Sequence, residues 1–205
     1  MIRLDWIAGF LVALGLAAPC LAMNSYDDPR TVLSYMDRSV EPARDILRLT
    51  TETSEDQGLV FQVKLRGEGS GAGPGDYLLL QIWQGRAYRW LVPLDPDTDL
   101  PVLAYQGPKE ASAGAAVLSS GPMRGDRRQV EFASRHIPSG VEFEIPLSWL
   151  DYGTKIGFDA YTVTGRTQGH AFVIDEVHDR AAKGDRAARR VSPFALLNNL
   201  CATRR

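Results

Sequence analysis

The chain of 205 residues is 44% hydrophobic and carries a formal net charge of −2, enough apolar content for one domain with a sizeable core. Residues 23–179 hold 15 basic against 23 acidic side chains, whereas residues 180–205 hold seven basic side chains against Asp185 alone. An acidic body excludes nucleic acid as a partner, because phosphate contacts need a basic surface. With only Cys20 and Cys201 present, a disulfide framework is excluded as well.

The first 22 residues read as an export signal. Arg3 gives a positive start, residues 7–18 form an apolar run too short to span a bilayer comfortably, and Cys20-Leu21-Ala22 offers small residues where signal peptidase cuts. Lipidation at Cys20 is the rival reading, opposed by Pro19 where that motif has a small residue. Cleavage after Ala22 leaves Cys201 as the single cysteine of an exported protein, periplasmic or secreted.

Residues 23–44 are polar and broken by Pro29 and Pro42, which predicts an irregular lead-in with one helical turn near residues 31–37. Residues 45–53 (DILRLTTET) and 59–65 (LVFQVKL) alternate with a period of two around a turn-forming stretch and predict a hairpin, with Phe61, Val63 and Leu65 on one face. The Gly-dense loop 67–75 connects it onward; it lacks the GxxxxGK[ST] pattern of a phosphate-cradling loop. Residues 77–84 (YLLLQIWQ) and 86–94 (RAYRWLVPL), joined at Gly85, are apolar enough to be central strands.

Asp95, Asp97 and Asp99 have the spacing that opens an EF-hand calcium loop, but Leu100 and Gln106 stand where Gly and Glu belong. Three weaker strands are expected at residues 101–107, 114–120 and 128–136. Residues 141–145 (VEFEI) alternate sharply, Pro146 ends that ladder, Leu147, Trp149 and Leu150 form an apolar corner, and residues 156–163 resume as a strand. Residues 170–177 (HAFVIDEV) supply the last one. The expected fold is all-β: a two-sheet antiparallel β-sandwich, jelly-roll-like, over residues 45–179, followed by a basic, flexible or helical tail at residues 180–205.

The succession DIL, LVFQVKLRG, GDYLLLQIWQGRAYRW, VEFEIPLSWLDYGTKIGFDAYTV and FVIDE resembles the exported β-sandwiches related to DOMON domains and family nine carbohydrate-binding modules. The resemblance covers about residues 45–179 and lies in strands and corners, not in a catalytic signature. It implies non-catalytic binding of a small ligand, typically a saccharide and sometimes haem, with a structural calcium in some members. A sugar presents apolar C–H faces and a fringe of hydroxyls, so its site needs aromatic rings beside hydrogen-bonding side chains. Trp83, Arg86, Tyr88, Arg89 and Trp90 are the candidate ligand-binding residues on that ground. The acidic closing element that the resemblance includes makes Asp159, Asp175, Glu176 and Asp179 the candidate calcium ligands.

Haem would take an axial ligand from His136, His170, His178 or Met123, none of them fixed by a spacing motif. Glu142 and Glu144 share a strand face as a glycosidase pair does, but they equally fit the solvent side of a sandwich strand, and no HExxH or nucleophile-elbow pattern occurs. The chain is therefore read as a binding module and not an enzyme. The alternative is a protein-interaction module whose basic tail docks on a cell-envelope complex.

Overall fold

The computed structural model describes residues 28–55, 58–107, 117–118, 133–182 and 190–197. The expected export signal, Met123 and Cys201 lie outside them, as do large parts of the strands expected at residues 114–120 and 128–136. Eleven strands are found among the described residues: β1 (Thr31–Leu33), β2 (Ile46–Thr53), β3 (Gly58–Leu65), β4 (Asp76–Gln84), β5 (Arg86–Pro93), β6 (Leu103–Gly107), β7 (Val117–Leu118), β8 (Ala133–Ile137), β9 (Gly140–Pro146), β10 (Gly157–Gln168) and β11 (Ala171–Arg180). They form two antiparallel sheets, ordered β1-β2-β3-β9-β8 and β6-β5-β4-β10-β11-β7, packed face to face as a β-sandwich.

Alternation builds the core. Leu59, Phe61, Val63 and Leu65 of β3 and Val141, Phe143 and Ile145 of β9 are buried, and their sheet neighbours are half-exposed, the pattern of strands with one wet face. They meet Leu78, Leu80 and Ile82 of β4, Trp90 and Val92 of β5, and Phe158 and Ala160 of β10. Phe61 and Phe158 join the sheets edge to face, with ring centroids 5.3 Å apart. Among the described strands the chain changes sheet three times, from β3 to β4, from β7 to β8 and from β9 to β10, and the first and last of these lie side by side because β3 pairs with β9 and β4 with β10.

The β4–β5 hairpin turns on one residue. Gln84 pairs with Arg86, and Gly85 between them has φ +71°, a conformation that an L side chain seldom adopts. This turn fixes the parity of every residue on both strands. Leu78, Leu80, Ile82, Trp90 and Val92 point into the sandwich; Tyr77, Leu79, Gln81, Trp83, Ala87, Arg89 and Leu91 point to the far side of the six-stranded sheet. That far side carries its own buried cluster of Tyr77, Leu79, Leu91, Tyr105, Tyr161, Val163, Phe172 and Ile174.

The lead-in differs from expectation. Residues 31–33 form no helical turn; they extend as β1 and pair with Arg48, Leu49 and Thr50 of β2, whose free edge supplies the hydrogen-bond partners. Asp45 anchors the rest of the lead-in: its buried carboxylate accepts from Arg66 Nε at 2.7 Å and from the Asp37 amide at 3.2 Å. In the tail, Val191 makes an antiparallel bridge with Ile156, and the short helix Pro193–Leu197 sinks Leu196 into the main core. Phe194, 64% exposed, rests on the half-exposed Tyr152 with centroids 5.1 Å apart.

Candidate functional site

The five side chains expected to bind ligand do not share a surface. Trp83 and Arg89 lie on the outer face of the six-stranded sheet, whereas Tyr88 and Trp90 lie on its inner face and Arg86 stands exposed at the hairpin end. Trp90 is buried and packs with Tyr88 and Trp149 in an aromatic group, with centroid separations of 4.7–6.2 Å. These three rings close one side of the core, so Trp90 is not an exposed platform.

The outer face holds a different constellation. Register across the sheet places Tyr105, Arg89, Gln81 and Asp159 in one row, on β6, β5, β4 and β10. The next row, toward the hairpin end, is Gly107, Ala87, Trp83 and Gly157. A tryptophan thus stands among three residues with almost no side chain, and it is only half-buried, as is Gly107. Adjacent same-face residues along a strand are about 6.6 Å apart, so the Trp83 ring stands one row from the enclosed Gln81 amide.

The polar row is buried. Gln81 is fully enclosed and Arg89 is 2% exposed. Arg89 Nε donates to Gln81 Oε1 at 3.2 Å, and its Nη1 reaches toward Gly107, where a Cβ would stand only 2.9 Å away. Gly107 therefore leaves the room that the guanidinium occupies. Burial disfavours the charged form of Arg89 and lowers its pKa from the ordinary value. Asp159, fully buried, is answered by Arg180 Nε at 2.6 Å and by the amides of Ala160 and Ala182 at 2.9 and 3.2 Å. Arg180 also lies over the Tyr161 ring, 5.5 Å from its centroid.

Burial raises the pKa of Tyr77, Tyr105 and Tyr161, and for Tyr161 the charge of Asp159 adds to the effect. The neutral phenol is the form the fold favours, so this contribution is complete below pH 10.0, the ordinary tyrosine value, and is lost as pH rises through the displaced values. A spectrophotometric titration at the tyrosinate band is expected to show these three phenols ionising later than the exposed ones, with unfolding bringing them back to the ordinary range.

The four carboxylates expected to hold calcium are dispersed. Asp159 faces outward to Arg180, and Asp179 accepts from the Ile46 amide at 2.6 Å. Asp175 pairs at the surface with Arg166, while Glu176, also exposed, lies 3.5 Å from His178 Nδ1. Two register shifts in the β10–β11 pairing, at Thr162/Val163 and Thr164/Gly165, turn these side chains in different directions. Among the described residues no group of three or more His, Cys, Asp or Glu is placed to hold a metal ion. In the Asp95 loop, the Asp95 carboxylate accepts from the Asp97 amide at 3.0 Å, an ordinary Asx turn.

The histidines are also distributed. His136 Nε2 lies 2.8 Å from the Pro93 carbonyl, and His170 is exposed in the β10–β11 turn. His178 is packed against Thr164 Oγ1 at 2.6 Å, and Thr164 in turn donates to Asp76. Asp76 also accepts from Arg44 Nε and the Gly73 amide, each at 2.7 Å, so this network ties the lead-in to β4 and β10. Glu142 accepts from Arg135, and Glu144 from Ser54, on the outer face of the five-stranded sheet.

Besides the outer face there is a cleft of about 220 Å³ at one end of the sandwich, lined mainly by Leu65, Leu94, Pro96, His136, Ile137 and Pro138. No helix among the described residues is long and apolar enough to cross a membrane. Compared with models of known protein families, with curated proteins and with solved structures, the chain has no match.

Proposed function

We propose that the protein is an exported, non-catalytic binding module whose ligand is a saccharide seated on the outer face of the six-stranded sheet. One observation carries the reading: the half-buried Trp83 stands among Gly157, Ala87 and Gly107, beside the polar row of Gln81, Arg89 and Asp159. A sugar ring can lay a C–H face on the half-buried indole. The resemblance to DOMON domains and family nine carbohydrate-binding modules supports the same ligand class, and the leader-like first 22 residues support export. Of the side chains first expected to bind, Trp83 keeps that role.

Calorimetric titration with a panel of soluble glycans, in calcium and again in EDTA, tests this proposal. One glycan class is expected to bind saturably, and Trp83→Ala to weaken it about tenfold or more, a loss of about 1.4 kcal/mol or greater. Dependence on calcium would support the structural ion that the resemblance implies. Undiminished affinity in the Trp83→Ala protein would place the ligand elsewhere.

A second reading draws on a different observation. The docked segment at residues 190–197 leaves Phe194 and Tyr152 exposed as an aromatic pair beside a basic tail. That pair is suited to an envelope-protein partner, whose binding would be indifferent to Trp83→Ala.

A further inference from the structure

We infer that the cleft at the end of the sandwich is a second binding site, and that it takes a small apolar amine as its ammonium ion. The inference does not rest on the saccharide reading: the cleft opens beside Leu94, where β5 ends, whereas Trp83 stands near the Gly85 turn, where β5 begins. Its volume is about 220 Å³, and its walls are chiefly Leu65, Leu94, Pro96, Ile137 and Pro138. An apolar cavity of about 150 Å³ already holds benzene, so an aryl or branched alkyl body with a short arm fits this one.

The polar groups around the cleft select the head group. Glu68 lines it, and a Cβ on the next residue, Gly69, would collide with the Leu94 carbonyl oxygen, so this loop lies close against the Leu94 wall. The Glu68 carboxylate is exposed, and no described residue pairs with it. Asp95 and Asp97 flank the wall residue Pro96 and add two more carboxylates to the rim. The Asx turn occupies one Asp95 oxygen with the Asp97 amide and leaves both charges in place.

His136, also in the lining, adds an acceptor. Its Nε2 lies 2.8 Å from the Pro93 carbonyl and must carry the proton, because a carbonyl only accepts; in the neutral ring Nδ1 is then a lone pair. The opposing charge is Lys64, whose ammonium is engaged by the Pro138 carbonyl at 2.8 Å. Carboxylates that outnumber the one lysine, set beside low-dielectric walls, concentrate a negative field on the cleft. An ammonium has three N–H donors and no acceptor, and it matches this set. A hydroxyl brings one donor and no charge, and a carboxylate is repelled.

Calorimetry on the intact protein with phenethylamine, phenethyl alcohol and phenylpropanoate tests this, since the three share a ring on a short arm and differ in head group. The amine is expected to bind saturably, about tenfold or more tightly than the alcohol, and the carboxylate more weakly than either. Glu68→Gln, a change at an exposed side chain that spares the core, is expected to reduce the preference for the amine and to leave the alcohol's affinity as it was. Equal binding of amine and alcohol, tighter binding of the carboxylate, or no binding by any of the three would overturn the inference. A preference for the amine undiminished in Glu68→Gln would overturn its assignment to this cleft. None of these outcomes bears on the glycan titration at Trp83.

Discussion

Phe61→Ala is expected to lower the unfolding free energy by about 4 kcal/mol, within the range found for phenylalanine removed from a close-packed core. Phe61 is fully buried at the middle of β3, and its ring meets Phe158 of the opposite sheet edge to face at 5.3 Å. The substitution removes both the burial of a large apolar side chain and the cross-sheet contact. Neighbouring Leu59, Val63 and Phe143 are held by two ladders, β2–β3 and β3–β9, so collapse into the space is limited. Denaturant unfolding of the altered and parent proteins measures the difference. A loss below about 1 kcal/mol would mean that the two sheets do not pack through this residue.

Asp45→Ala is expected to remove about 3 kcal/mol, the lower end of what breaking a buried ion pair costs, because Arg66 retains some access to water. The Asp45 carboxylate is fully enclosed and serves Arg66 and the Asp37 amide together. Arg66 in turn donates to the Val40 carbonyl, so one side chain holds the lead-in against the start of β2 and the end of β3. Unfolding of Asp45→Ala and of Arg66→Met, alone and combined, separates the pair's coupling from each residue's own contribution. A combined loss equal to the sum of the single losses would show that the two do not act as a pair. Asp45 immediately precedes β2, and its place in the fold is to pin the lead-in.

The sandwich was legible because its strands declare their wet and dry faces. Val141, Phe143 and Ile145 alternate with two glutamates, and β3 alternates in the same way, so strand, face and partner follow from period two. β4 was harder. Tyr77 to Ile82 is buried on both sides, and a strand with two dry faces does not announce which residues look inward.

That ambiguity makes Trp83 and Trp90 read as one site in the sequence. With Gly85 as a one-residue turn, Trp83 pairs with Ala87 and Trp90 with Leu80, on opposite faces. The signal was present in the sequence as the parity about Gly85, and applying it would have joined Trp83 to Gln81 and Arg89. The pairing of Asp159 with Arg180 was not legible, since it depends on a β10–β11 register that two bulges displace. The same bulges scatter Asp175, Glu176 and Asp179, which in sequence read as one acidic cluster. β1 is not legible in the sequence because three residues show no period; it forms because β2 offers it a free edge.

The most direct test of the central claim, that the ligand seat is the outer face beside Trp83, is a tryptophan fluorescence titration with the bound glycan. It is run on the parent protein, Trp83→Phe and Trp149→Phe. The parent is expected to give a saturable shift that Trp83→Phe abolishes and Trp149→Phe preserves. A shift that survives Trp83→Phe and disappears with Trp149→Phe would place the ligand at the aromatic group of Tyr88, Trp90 and Trp149 and contradict the account.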